Sequence, residues 1–216
     1  MSRSVRKAID RWEAFARPEG SATWFAASEQ FGINSFDPET REFSALQAWW
    51  LASLCRIAYT PDQKESPRPW HRTKPARHDY LEHRSPFREV INLHKTGNHV
   101  ALYRLEGRPG GVLCFRGTNK LRQWLMNLTA LPSPWTHAPD ETSDAFVHQG
   151  FQLLFDRVWP LIEPSLIEIE GPLVFTGHSL GGAFATLAAA AWSGTPASIT
   201  TFGSPRVGNR GFADLL

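Results

Sequence analysis

The 216-residue sequence predicts an α/β fold on a mostly parallel central sheet, and two stretches carry that prediction. In the first, Pro172 to Ala191, the short apolar run Leu173 to Thr176 gives way to Gly177-His178-Ser179-Leu180-Gly181 and then to an alanine-rich segment. Such a run suits a strand buried on both faces of a parallel sheet. Ala183, Ala185, Ala188, Ala189 and Ala190 favour a helix, and their small side chains let it lie close against the sheet. In the second, Val90 to His94, His99 to Leu105 and Val112 to Phe115 read as successive strands. Lys95-Thr96-Gly97-Asn98 and Gly107 to Gly111 supply the turns.

With 42% hydrophobic residues, the length suits one domain over 1–216: N-terminal helices in 1–60, then a sheet core with the strand-turn-helix in 87–216. Net charge is +2 and opposite charges are interspersed, which argues against nucleic acid as a partner. The charged N-terminus has no apolar segment suited to a signal peptide, and no window approaches the roughly 20 apolar residues of a membrane span. A soluble, cytoplasmic protein is expected. Cys55 and Cys114 have no metal-site spacing and should be buried free thiols; neither metal nor cofactor is expected. The nine tryptophans either fill the core or line an apolar cleft.

Val5, Ile9, Trp12 and Phe15 recur at helical spacing among basic residues, giving an amphipathic helix over 4–16. Packing on its own domain is the commoner fate of such a helix, a membrane surface the alternative. Residues 21–36 read as irregular. Asp37 can cap and Pro38 can open a long helix reaching Tyr59, with Phe43, Leu46, Trp50, Leu54 and Ile57 on one face. From Thr60 to Pro86, five prolines mark a surface excursion with a possible short helix near Asp79 to His83. His71, His78 and His83 should be solvated there. Leu121, Trp124, Leu125 and Leu128 fall on one helical face. Residues 130–145 read as a loop, and Phe151, Leu154, Phe155 and Val158 as a helical stripe that Pro160 kinks or splits. Ile199 to Phe202 form a further strand, Gly203 to Asn209 a loop, and Phe212 begins a helix.

Gly177 to Gly181 match G-x-S-x-G, a turn that lifts a serine hydroxyl above the strand ends, so Ser179 is the candidate nucleophile. A phosphate-binding loop would need a Lys after its second glycine, and none follows. Acyl transfer also needs N–H donors for the carbonyl oxygen, each worth about 3 kcal/mol in the transition state. One is the N–H of Leu180, after the nucleophile; the loop after Phe115 is the natural source of another.

C-F-R-G-T (Cys114 to Thr118), V-H-Q-G-F (Val147 to Phe151), F-T-G-H-S-L-G-G-A (Phe175 to Ala183) and T-F-G-S-P-R-V-G-N (Thr201 to Asn209) together resemble the class 3, fungal-type lipases. The resemblance implies a three-layer α/β-hydrolase fold. It implies Ser179 as nucleophile, Leu180 and Thr118 as oxyanion-hole donors, and a lipid ester as substrate. Residues 121–128 occupy the position of a lid, with transient contact at a lipid interface as its consequence; a fixed core helix is the alternative. The resemblance does not put the catalytic histidine at His148, and His178 should support the turn while pointing away from the serine.

Serine needs a histidine base and an orienting carboxylate, in the chain order Ser, Asp, His. Downstream of Ser179 there is Asp214 and no histidine. Both partners are therefore expected beyond Leu216, so residues 1–216 should lack an assembled triad and show little activity on their own, and Asp214, in a surface helix, is not assigned. The last strands of the sheet should be missing as well, leaving Ile199 to Phe202 as an unpaired edge prone to association. Two other readings stay open: a non-catalytic protein that keeps the cleft for lipid or a partner, and an acyltransferase. Oligomeric state is not legible.

Overall fold

Three strands set the architecture by sorting alternate side chains to opposite faces of one sheet. The computed structural model describes residues 32, 34–59, 81–95, 98–117, 131–138, 144–194 and 196–216. Strands β1 (Phe87–Lys95), β2 (Asn98–Leu105), β3 (Gly111–Arg116), β6 (Leu173–His178) and β7 (Ser198–Phe202) form a sheet in the order β1-β2-β3-β6-β7. The hairpin β1-β2 and the pair β2-β3 are antiparallel. Parallel pairing is confined to β3-β6 and β6-β7, so the sheet is mixed. Strand β7 lies at one end of this order, as expected of Ile199 to Phe202.

Both faces are covered. Val100, Leu102, Leu113, Phe115 and Phe175 point into one core cluster, and Ala101, Tyr103, Val112, Cys114 and Val174 into another. The first cluster is closed by helices α2 (Gln149–Phe155), α3 (Trp159–Ile167) and α4 (Leu180–Ala191), the second by α1 (Ala45–Ile57). This is a three-layer α/β arrangement. Each large apolar side chain fully buried here, such as Trp50, Phe175 or Trp159, contributes roughly 1.5–3 kcal/mol.

Helix α1 starts later than the sequence suggests. Ser44 is its N-cap, accepting from the Gln47 N–H at 3.4 Å. Asp37 instead closes a turn, its Oδ1 accepting from the Glu39 N–H at 3.0 Å and its Oδ2 from the Thr40 hydroxyl at 3.2 Å. Phe43, outside the helix, is 88% exposed and lines no core face, whereas Trp50, Leu54 and Ile57 are buried. A second correction concerns 130–145: Pro132–Pro134 form a short strand, β4, paired with β5 (Phe146–His148). The Phe151 to Val158 stripe does split, with Pro160 in the first turn of α3. His83 is exposed, beside a short helical stretch at 81–83. Cys55 and Cys114 are buried free thiols, their Sγ atoms 3.9 Å apart. Trp50, Trp135 and Trp159 fill the core. Thr96 and Gly97 of the first turn, the helix expected over 4–16, His71, His78 and the segment 121–128 lie outside the described residues.

Candidate active site

The site forms where β3 and β6 end. All six residues of β6 are buried, and the chain turns at Ser179 into α4. Ser179 has φ 57° and ψ −123°, and among the described residues it alone is a non-glycine with positive φ. Such a conformation costs about 1–3 kcal/mol and persists only where the surroundings enforce it. They do so by hydrogen bonds: the Ser179 N–H donates to the Phe202 carbonyl at 2.8 Å, and the Gly182 N–H donates to the Ser179 carbonyl at 2.9 Å. The strain therefore sits on the serine itself.

The flanking glycines are required for another reason, which is space. A Cβ on Gly177 would stand 2.1 Å from the Gly181 carbonyl oxygen. One on Gly181 would stand 2.1 Å from the carbonyl oxygen of Phe115, at the end of β3. The turn is thus pressed against the strand that leads into the expected oxyanion loop. Gly117 continues that contact, since a Cβ there would meet the His178 carbonyl at 2.5 Å and the Ser179 Cβ at 3.1 Å.

Ser179 is only 2% exposed, and its Oγ has no hydrogen-bond partner among the described residues. Leu180, the first residue of α4, has no intrahelical acceptor for its N–H. A hydroxyl and a free N–H at a helix N-terminus thus lie together, where the helix dipole favours developing negative charge. Thr118 lies outside the described residues, and the loop is described as far as Gly117.

His178 does not hydrogen-bond the Ser179 hydroxyl, which has no partner among the described residues. Its Nδ1 lies 3.0 Å from the Tyr59 hydroxyl, and burial holds its pKa at about 4, so the ring is neutral near pH 7. Burial also pushes the Tyr59 phenol well above its ordinary value, against the pull of the Arg116 cation and of a hydrogen bond from the Gly117 backbone. The Arg116 guanidinium sits over the Tyr59 ring, 5.5 Å from its centroid. Periodicity offered no sign of Tyr59, which stood simply as the end of a predicted helix.

His148 has a structural role: it N-caps α2, its Nδ1 accepting from the Gly150 N–H at 3.1 Å, and it stacks on Phe151. Its strand is stitched to the loop after β7, where the His148 N–H donates to Val207 and the Asn209 N–H to Phe146. Asp214 ends the short helix α5 (Arg210–Ala213) and pairs with Arg210 at 2.8 Å. It is exposed, and it does not hydrogen-bond the Ser179 hydroxyl, which has no partner among the described residues. Among the described residues no cluster of His, Cys, Asp and Glu is suited to a metal ion.

Residues 112–216 match the family model for lipase (class 3). This part of the chain belongs to the class 3 lipase family. Relatives include the secreted mono- and diacylglycerol lipase 2 of Gibberella zeae, 30% identical over 51% of this chain and 33% of its own length. The secreted mono- and diacylglycerol lipase 1 of Fusarium solani is 35% identical over 56% of this chain and 38% of its own. Phospholipase A(1) DAD1, chloroplastic, of Arabidopsis thaliana is 34% identical over 51% and 30%. The chain thus spans about a third of the length of the curated relatives it matches. Among solved structures, the lipase of Rhizopus microsporus var. chinensis superposes with TM-score 0.51 at 20% identity, over 80% of this chain and 62% of that one. A triacylglycerol lipase with a serine-protease triad gives 0.56 at 22%, over 81% and 68%. These likenesses show the α/β-hydrolase fold.

Proposed function

We propose that this chain carries the nucleophile and the oxyanion hole of a hydrolase that cleaves the carboxylic esters of lipids. The observation that carries the reading is the strained backbone of Ser179, held at a strand end with a buried, unpartnered hydroxyl beside the N-terminus of α4. Oγ attacks the acyl carbon, and the carbonyl oxygen gains the negative charge. The N–H of Leu180 receives that charge, with Thr118, next after Gly117, as the second donor. Collapse of the adduct expels the alcohol and leaves an acyl-enzyme, which water then cleaves. The proton of Oγ must pass to a histidine held by a carboxylate, and the fold's chain order puts both C-terminal to Ser179.

The relatives' names, mono- and diacylglycerol lipases and a phospholipase A(1), support glycerolipid esters as the substrate class. The segment 121–128 is proposed as the lid, meeting a lipid interface transiently, and residues 1–216 as a single domain. A cytoplasmic location stands beside relatives named secreted and chloroplastic; cell fractionation tests it.

Labelling with a fluorophosphonate tests the reading. Modification at Ser179 that Ser179→Ala abolishes is expected. A wild-type chain that stays unlabelled, with its fold intact, overturns the reading in favour of a non-catalytic protein that keeps the cleft.

A further inference from the structure

The end of α1 meets both halves of the site at a single atom, the phenol oxygen of Tyr59. Tyr59 lies directly after the C-cap residue Ala58, and its N–H donates to the Arg56 carbonyl at 3.0 Å. The Ala58 carbonyl is itself held by the buried ring of His99, whose Nδ1 donates at 2.7 Å. The position of Tyr59 is therefore fixed from the body of the sheet. A phenol has one proton to give and lone pairs to accept with. Its neighbours use both: the His178 ring nitrogen stands 3.0 Å away, and the Gly117 backbone amide donates to the oxygen. His178 is neutral near pH 7, and with the phenol oxygen accepting from Gly117, Nδ1 is the acceptor in reach of the phenol proton. Gly117 N–H donates to the phenol oxygen, and the phenol O–H donates to Nδ1, which assigns the imidazole proton to Nε2.

We propose that Tyr59 is a positioning residue, whose hydroxyl clamps the loop at Gly117 to the turn at His178 and so fixes the oxyanion hole relative to Ser179. The inference rests on the hydrolase reading for its consequence and on hydrogen bonding alone for the clamp. Gly117 packs directly against the phenol oxygen, since a Cβ there would lie 2.6 Å from it. Oxyanion donors act only when held in place before the charge develops, so loosening the loop should slow acylation without weakening ester binding.

Tyr59→Phe removes the bridging oxygen and keeps the ring that packs edge-on to His178. Three measurements on the full chain decide. By amide hydrogen exchange, the Gly117 N–H should exchange at least about tenfold faster in the variant, with the β6 amides unchanged. In the same samples, the ring ¹⁵N shifts of His178 should change from a single Nε2–H tautomer to a mixture. Equal Gly117 exchange and an unchanged tautomer overturn the clamp. By fluorophosphonate labelling or ester turnover, kcat should fall roughly 10- to 100-fold at constant KM. A fall confined to KM, or no fall, overturns the positioning role. Absence of labelling in the wild-type chain overturns the hydrolase reading and the role of Tyr59 in that reaction, while Gly117 exchange still decides the clamp.

Discussion

Gly107, in the turn before β3, and the glycines around the far end of that strand are required for opposite reasons. At its start, in the turn from β2, Gly107 has φ 72° and nothing within 4 Å of where a Cβ would sit. At its end, Gly117, Gly177 and Gly181 are absent from the positive-φ set, yet a Cβ on any of them would collide with backbone at 2.1–2.5 Å. Gly107 needs a conformation and the far end needs room. At the far end three chain segments meet: Gly117, the end of β3 and the turn at Ser179 lie within a methyl group's width of one another.

Substitutions can break that contrast, from the largest expected effect downwards. Gly181→Ala forces a methyl group into the Phe115 carbonyl and should cost on the order of 4 kcal/mol or more in urea unfolding, with loss of any Ser179 labelling. A variant as stable as wild type would mean that the turn can open without penalty.

A pH titration of stability sharpens the account of the elbow. His178 keeps a pKa of about 4 in the folded chain and about 6.5 unfolded. Between those values the unfolded chain binds the extra proton. Stability is therefore full above pH 6.5 and lost as pH falls towards 4, by at most about 1.4 kcal/mol per pH unit. Replacing His178 with Asn should flatten that slope; an unchanged slope would assign the loss to other groups.

Gly107→Ala, by contrast, should cost only about 1–2 kcal/mol through its backbone angle, and Gly107→Asn less, because Asn tolerates the left-handed region. Smallest of all, Phe43→Ser should stay within about 0.5 kcal/mol in the same measurement, since the ring is 88% exposed.

The sequence revealed the elbow because strand, turn and helix there are contiguous: Leu173 to Ala191 hold the strand, Ser179 and Leu180 without a break. It did not reveal Tyr59, which meets His178 across 119 residues of chain and carries no pattern of its own. Local signals also misplaced the start of α1. Asp37 and Pro38 satisfy every rule for a helix opening, but the Asp37 oxygens are used within a turn, and Ser44 caps the helix. The β4 strand was hidden by Pro132 and Pro134, which lack the N–H a central strand would need and are tolerated in a short two-stranded ribbon. The parallel pairing of β3, β6 and β7 was legible from buried apolar runs, whereas the antiparallel share of the sheet came from the β1-β2 and β2-β3 turns.

The two cysteines give this molecule a built-in reporter. Cys55 on α1 and Cys114 on β3 are both fully buried, with Cys55 Sγ 3.6 Å from the Thr176 hydroxyl on β6, two residues before His178. A thiol-reactive dye can reach either sulfur only when the α1 layer lifts from the sheet. Its rate of uptake, read at increasing reagent concentration, therefore times the opening of the layer that carries Tyr59, with no label added to the surface.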